Sequence, residues 1–439
     1  MRNLLLLLGL LIAASSNVSA QSAQWERTIS AAQRAYRQHQ YQEAELSFRE
    51  AERQAESYGP YDRRLGVTLN NLAELYLREA RYAEAEPLFK HVLAIWEHSE
   101  EARPADRATT VNNLAALYTY QNRYAEAEAL YQQALALCVG NLGPEHPDVA
   151  NTLNNLGALY WKQGKLAEAE PLYQRAVAIR EATLSPNDPE IAAGLNNLAA
   201  LYVRKAEFPA AESIYKRVLK IREAALGPDH PEVGNSLSNL AGLYGLEGRF
   251  PEAEALYMRA LGIAEKSHGP DHFEVADGLT SLASLYRREK RYVEAASFIK
   301  RALAIREQSL GRDHPDVARS LDELATVLLL ESRRVNVDLL YLRALDIRKK
   351  VYGPESLEVV MSLNDLGAGY TREGKFPEAE QVFADASNII ARHLKPEPRV
   401  LEALYTNLAN LYWCEGKHRK SRRMAEKARM IREEGASPS

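Results

Sequence analysis

The chain has 439 residues, a formal charge of −4, and 46% hydrophobic and 26% charged residues. A single hydrophobic core rarely grows beyond about 250–300 residues, so these values indicate several domains or an elongated repeat protein and exclude wholesale disorder. Two cysteines exclude a disulfide-based scaffold, and the near-neutral charge gives no general basis for nucleic-acid binding.

Residues 1–20 have the pattern of a secretory signal peptide. Arg2 supplies the positive charge, Leu4–Ala14 is apolar, and Val18 and Ala20 occupy the −3 and −1 positions of a signal-peptidase site. The apolar run is too short to cross a bilayer core of about 30 Å as a helix. We therefore expect cleavage near Ala20 and an exported mature chain, periplasmic or secreted. The alternative is an uncleaved N-terminal anchor.

From residue 66 onwards the sequence repeats every 42 residues. Leucine recurs at this interval at Leu72, Leu114, Leu156, Leu198, Leu240, Leu282, Leu324, Leu366 and Leu408. Rows of tyrosine, alanine and isoleucine keep the same phase. The spacing predicts eight tandem repeats over 66–401 and a capping repeat over 402–435. A divergent first repeat occupies 21–65, and 436–439 is left as a disordered tail. No room remains for a separate catalytic domain.

The repeat over 150–191 predicts two antiparallel helices. The apolar faces consist of Leu153, Leu156, Gly157 and Tyr160 on the first helix, and Leu166, Ala169, Leu172, Tyr173, Ala176, Val177 and Ile179 on the second. Gly164 separates the two helices at a position suited to a left-handed cap. Neither helix can bury its face alone, so neighbouring repeats must stack. The expected fold is all-α, with about ten antiparallel helix pairs.

The connections between repeats carry glycine, proline and histidine. His146, His230, His272 and His314 each precede a predicted helix and fall one to a repeat. Neighbouring helices lie roughly 8–10 Å apart, whereas ligands of one zinc ion lie about 2 Å from it. These histidines are therefore interpreted as loop or capping residues, and neither a metal nor a cofactor is expected.

The pattern Leu-x2-Leu-[Gly/Ala]-x2-Tyr, followed by Ala-x3-[Tyr/Phe]-x2-Ala, resembles the tetratricopeptide repeat. Repeats such as Leu153–Pro189 are similar to the 42-residue kinesin light chain subtype. The resemblance implies a right-handed superhelical solenoid that holds protein segments in a concave groove. A motor-adaptor role is not carried over, because the chain has a predicted signal peptide and residues 21–65 are already a repeat. An exported bacterial protein fits the resemblance better.

By analogy with the family, the stripe opposite the buried face of each first helix lines the groove. The predicted peptide-binding residues are the asparagines Asn71, Asn113, Asn155, Asn197, Asn239 and Asn407, and the bases Arg78, Lys162, Arg204, Arg288 and Arg372. Asparagine amides can bond a peptide backbone, and the bases favour carboxylates. The structural alternatives are a packing role for the asparagines and a solvated charged face for the bases. The adjacent Asn154 row is expected to bond neighbouring first helices.

Three further features concern surfaces. The tyrosine rows could suggest a platform for single-stranded nucleic acid, but they lie on packing faces and are interpreted as core. The repeat over 318–359, where Asp322-Glu323 replaces the asparagine pair and Val337 replaces alanine, is a hinge or a drifted repeat. The basic helix 417–432 is either a polar cap or an electrostatic contact with anionic lipid or an acidic partner.

These observations predict a non-enzymatic scaffold that binds an extended, net-acidic protein segment in its groove. The alternative is a structural assembly subunit that self-associates or docks through its ends. A carbohydrate-binding role is weaker, because it would require exposed aromatic rows. Neither a nucleic-acid partner nor a membrane span is expected.

Overall fold

The computed structural model describes residues 21–38, 40–331, 337–393 and 398–436, and these residues form an all-helical chain. The predicted signal peptide, most of the turn after Glu331 and the end of the predicted tail lie outside the described residues. The chain divides into two compact units, with the boundary between Ile221 and Arg222. The N-terminal unit extends to Ile221, and the C-terminal unit begins at Arg222.

Twenty helices follow one another in the described residues. They are α1 (21–37), α2 (Tyr41–Glu56), α3 (Arg63–Arg78), α4 (Tyr82–His98), α5 (Pro104–Tyr120), α6 (Tyr124–Leu142), α7 (Pro147–Lys162), α8 (Leu166–Thr183), α9 (Pro189–Arg204), α10 (Phe208–Leu226), α11 (Pro231–Glu247), α12 (Phe250–His268), α13 (Phe273–Arg288), α14 (Tyr292–Leu310), α15 (Pro315–Glu331), α16 (Asp338–Tyr352), α17 (Leu357–Glu373), α18 (Phe376–His393), α19 (Pro398–Cys414) and α20 (His418–Ala436). From α3 onwards, odd-numbered helices are the first helices of the repeats and even-numbered helices are the second.

The turn inside each repeat places one residue in the left-handed region. Gly164 has φ +78° there, as the sequence predicts, and Gly248 and Gly374 behave in the same way. Two equivalent positions hold residues other than glycine with positive φ, namely Ala206 at 59° and Lys290 at 62°. The tight turn is thus kept even where the residue carries a Cβ, because both flanking helices hold it in place.

The leucine and alanine rows form the core of each unit. In the N-terminal unit Leu72, Leu114 and Leu156 pack in one cluster with the buried ring of Phe89. In the C-terminal unit Leu366 packs with Phe383. The second-helix alanines of the third row are fully buried at Ala85, Ala127, Ala169, Ala211, Ala253, Ala295 and Ala379. Small residues at these positions allow the two helices of a pair to approach closely.

The divergent repeat over 318–359 keeps the helix pair but alters it. Val337, at the alanine position, is 1% exposed and caps α16, which has 15 residues against 19 in α14. Asp322 forms an ion pair with Arg348 at 2.6 Å. The replacement of asparagine by aspartate in this repeat therefore has a local counter-charge.

Candidate functional site: the first-helix face

The predicted groove asparagines lie on the first helices at the contacts between repeats. Asn155 Nδ2 donates to Asn112 Oδ1 at 3.3 Å, and Asn197 Nδ2 donates to Asn154 Oδ1 at 2.8 Å. In the C-terminal unit Asn407 Nδ2 donates to Asn364 Oδ1 at 3.1 Å. The predicted role of the Asn154 row, bonding between neighbouring first helices, is confirmed at these contacts. The Asn155 row supplies the donors.

This pairing uses one N–H of each donating amide. A carboxamide offers two N–H groups and one oxygen, so the pair leaves groups on Asn155 and Asn197 for a ligand. The remaining members are half-buried at Asn71 and Asn113 and exposed at Asn239. Asn71 Nδ2 is enclosed without a hydrogen-bond partner among the described residues. The row therefore combines a packing role with unused polar groups.

The predicted basic residues are all exposed: Arg78, Lys162, Arg204, Arg288 and Arg372. In the N-terminal unit they rest on aromatic groups of the preceding repeat. Lys162 Nζ lies 4.4 Å from the Tyr120 ring centroid, and the Arg204 guanidinium lies 4.8 Å from that of Trp161. Such cation–π contacts orient the side chains while leaving their charge toward solvent. The sequence argument did not find this ladder.

In the C-terminal unit the same rows meet in a cleft of about 620 Å³. Its walls include Asp365 and Asn407 of the asparagine row, Arg372 of the basic row and the small residue Ala368. Asp365 is reached by solvent but is enclosed by the walls of the cleft, and this desolvation raises its pKa to about 6. The cleft thus holds both signs of charge, whereas the first-helix ladder of the N-terminal unit is basic and aromatic.

The tyrosine rows lie between repeats, as predicted for core residues. Tyr286 is 5% exposed, its hydroxyl donates to Glu254 at 2.6 Å, and the Arg291 guanidinium covers its ring at 4.2 Å. Burial and the Glu254 carboxylate raise the pKa of Tyr286 to about 12. The same arrangement links Tyr118 with Glu86 and with Arg123. These acids recur every 42 residues, a signal that the sequence argument left unused.

The connection histidines act as helix caps. His146, His230 and His314 each accept, through Nδ1, the backbone N–H two residues later at 3.2 Å. The turn between α12 and α13 differs, because His268 stacks on His272 with ring centroids 4.8 Å apart. Together with Glu274 these two side chains bring three ligand-type atoms within 4.8 Å of one another. Counting one histidine per repeat had omitted His268.

The basic helix α20 is anchored through part of its charge. Lys417 pairs with Glu380 at 3.0 Å, and Arg432 pairs with Glu402 at 2.6 Å. Lys427 covers the Tyr405 ring at 4.9 Å. These contacts fit a terminal capping helix. Both cysteines are free, as expected, with Cys138 buried and Cys414 exposed.

Within the described residues no helix is both long and apolar enough to cross a membrane.

Comparison with known proteins identifies the repeat. The tetratricopeptide repeat family model matches residues 29–98, 106–182, 190–266, 232–292, 274–334 and 340–391. No curated protein is significantly similar to this sequence.

Solved structures of similar repeat proteins are also found. A Podosopora anserina protein described as a kinesin light chain with nearly identical TPR-like repeats is 26% identical, over 47% of this chain and 98% of its own, with a TM-score of 0.43. BtubC (BKLC) from P. vanneervenii is 25% identical, over 57% of this chain and 92% of its own, with a TM-score of 0.43. The apo form of RapI is 15% identical, over 84% of this chain and 99% of its own, with a TM-score of 0.57, and shares the fold.

Proposed function

Because this chain belongs to the tetratricopeptide repeat family, we propose that it is a non-enzymatic scaffold that binds an extended, net-acidic protein segment along the first-helix face. The observation that carries the proposal is the ladder in the N-terminal unit, where exposed Lys162 and Arg204 are held over Tyr120 and Trp161. Cations held in one place lose less rotamer entropy when a carboxylate binds.

The two rows would divide the work. The amide groups left on Asn155 and Asn197 after their inter-repeat bonds would meet the backbone of the segment, and Lys162, Arg204 and Arg288 would meet its carboxylates. The half-buried small row, with Ala158 and Ala200 on adjacent repeats, leaves space between them. An extended segment suits this arrangement because both rows run from repeat to repeat.

The test begins with affinity capture from an envelope extract and continues with titration of the captured partner. Changing Lys162, Arg204 and Arg288 to alanine is expected to weaken binding about tenfold or more, since bonds to charged groups contribute about 1.5–3 kcal/mol and exposed ones less. A matched control removes three exposed bases from second helices, Arg175, Lys220 and Lys300. Binding should also weaken with added salt.

Two results would contradict the proposal. Equal affinities of the first-helix variant and the second-helix control would move attention to the outer helices or to α20. Unchanged affinity with native circular dichroism would exclude this face altogether.

The second candidate is an assembly subunit that docks through its ends. The basic helix α20 motivates it, since Arg422 and Arg423 lie exposed on the last repeat. Light scattering of the purified chain separates the two candidates, because a stable monomer disfavours self-assembly. A change of Arg422 and Arg423 to glutamine should abolish association if α20 is the docking surface.

We further propose that the protein is exported and works in the periplasm or outside the cell. The support is the sequence pattern of residues 1–20, with its apolar run Leu4–Ala14 followed by Val18-Ser19-Ala20. N-terminal sequencing of material from the producing organism should give Gln21 as the first residue. An intact Met1 in a cytosolic fraction would refute export.

A further inference from the structure

Buried arginines lie between consecutive repeats of the C-terminal unit. Arg222 and Arg306, at equivalent positions of two second helices, donate to Ser236 Oγ at 2.8 Å and Ser320 Oγ at 2.6 Å. In both cases the serine lies 14 residues later, on the next first helix. Arg306 is only 2% exposed. A buried guanidinium is tolerated only when acceptors surround it.

The other acceptors also sit at fixed sequence distances. Arg306 Nη2 contacts Asp277 Oδ1 at 2.7 Å, 29 residues earlier, and Arg180 Nη2 contacts Asn151 Oδ1 at 2.8 Å, again 29 residues earlier. Arg222 Nε contacts Glu232 Oε2 at 3.2 Å, ten residues later. Each of these repeat contacts therefore contains acceptors for one guanidinium, drawn from residues 29 before, ten after and 14 after the arginine.

One repeat contact has lost its arginine and kept its acceptors. Ala264 stands at the arginine position and Gly278 stands where the serine would be. A cleft of about 350 Å³ occupies the vacated space. Asn235, 29 residues before Ala264, and Glu274, ten residues after it, line this cleft, and Asp277 lines it as well. Its volume is at the lower end for small-ligand sites, which are about 300–1,000 Å³.

We propose that this cleft accepts the guanidinium of an arginine side chain contributed by the bound protein segment. The incoming arginine takes the place that the chain's own arginine fills in neighbouring repeats, with Glu274 and Asn235 as acceptors. Asp277 already shares its charge with Arg306, so Glu274 is the principal counter-charge. The planar guanidinium with five donors matches several acceptors at once, which an ammonium group does not.

The position of the cleft identifies a protein segment as the occupant. Asn235 and Asp277 belong to the same first-helix stripe as Asn151, and Ser281 belongs to the Asn155 row, so the cleft opens on the face assigned above to binding. The inference thus rests on the proposed function and adds one side chain to the description of the segment. A net-acidic segment can carry this single arginine.

The adjoining cluster of His268, His272 and Glu274 offers a competing reading as a metal site. Two features favour the guanidinium. The His268 and His272 rings are stacked at an interplanar angle of 19°, so their in-plane lone pairs run alongside each other and do not converge on one point. His272 Nδ1 also accepts the Glu274 backbone N–H, at 3.4 Å.

The test uses the blocked tripeptide acetyl-Ala-Arg-Ala-amide as the probe, titrated calorimetrically into the purified chain. Its lysine and citrulline counterparts, free L-arginine and Zn²⁺ are titrated separately. The arginine peptide is expected to bind at least tenfold more tightly than the neutral citrulline peptide. Ala264→Arg restores the internal arginine and should abolish binding. Glu274→Gln should weaken binding about tenfold, because a charge-assisted bond becomes a neutral one.

The matched control is Glu232→Gln, since Glu232 is the equivalent acid of a contact already filled by Arg222. It should leave the affinity for the probe unchanged.

Equal binding of the arginine and citrulline peptides would overturn the inference, as would full binding by a natively folded Ala264→Arg variant. Equal effects of Glu274→Gln and Glu232→Gln would also overturn it, and this comparison stands even if Ala264→Arg fails to fold. Binding that requires Zn²⁺ and disappears with EDTA would assign the cleft to a metal, and tighter binding of free L-arginine would assign it to a small molecule. Failure of the probe while the captured partner still depends on Lys162, Arg204 and Arg288 would reject this inference and leave the proposed function standing.

Discussion

The sharpest structural prediction compares two alanine substitutions with opposite outcomes. Gly367, in α17, lies against Phe383 of α18, whose ring is fully buried. A Cβ added at Gly367 would come within 2.6 Å of Phe383 Cε1 and Cζ. At Gly262, in α12, an added Cβ would meet no atom of another residue within 4 Å. Both glycines are inside helices of the C-terminal unit.

The magnitudes follow from two opposing effects. Replacing a helical glycine by alanine stabilises a protein by about 0.5–1 kcal/mol, and this effect acts alone at Gly262. Overpacking a core costs about 1–3 kcal/mol, which exceeds that gain at Gly367. We therefore expect Gly262→Ala to raise the free energy of unfolding by about 0.5–1 kcal/mol and Gly367→Ala to lower it by about 1–2 kcal/mol.

Urea unfolding followed by circular dichroism measures both variants, and hydrogen exchange in α17 and α18 localises the loss. Phe383→Leu makes room for the new methyl group, so Gly367→Ala should cost less in that background, with a coupling of at least about 0.5 kcal/mol. If both glycine variants shift the unfolding midpoint in the same direction by the same amount, the close contact with Phe383 does not limit this position.

Three further predictions concern charge, hydrogen bonding and local stability. Burial raises the pKa of Asp365 to about 6, so the native state binds its proton more tightly than the unfolded state does, and stability falls as pH rises from about 4 to 6. Asp365→Asn should therefore stabilise the chain at pH 7 and lose this advantage below about pH 4, as thermal unfolding across pH would report. Tyr286→Phe removes a bond of 2.6 Å to Glu254 and should cost about 1–3 kcal/mol in urea unfolding, and no change would mean that water replaces the hydroxyl. Amides of α16 should exchange faster than those over 150–275, and equal protection would leave the divergent repeat as sequence drift.

Several features of the fold were predictable from the sequence because they depend on local periodicity. The leucine and alanine rows place Leu156 and Ala169 on buried faces, and Gly164 marks the turn between their helices, where its φ is +78°. Helical spacing and the conformational freedom of glycine act over a few residues, so a repeat of 42 residues carries the same information in each copy. The assignment of the tyrosine rows to the core follows from the same periodicity.

The candidate site depended on contacts that no local pattern specifies. The bond between Asn155 and Asn112 joins residues 43 apart, and its existence depends on how far one repeat rotates against the next. The cleft beside Ala264 requires three stretches of chain to be aligned, and Ala264 read alone is an ordinary helical alanine. Sequence periodicity therefore determined the helix pairs, their turns and their buried faces. Only the packing of one repeat on the next decided which polar groups are used inside the protein and which remain for a partner, because these pairings depend on distances of a few ångströms between separate helices.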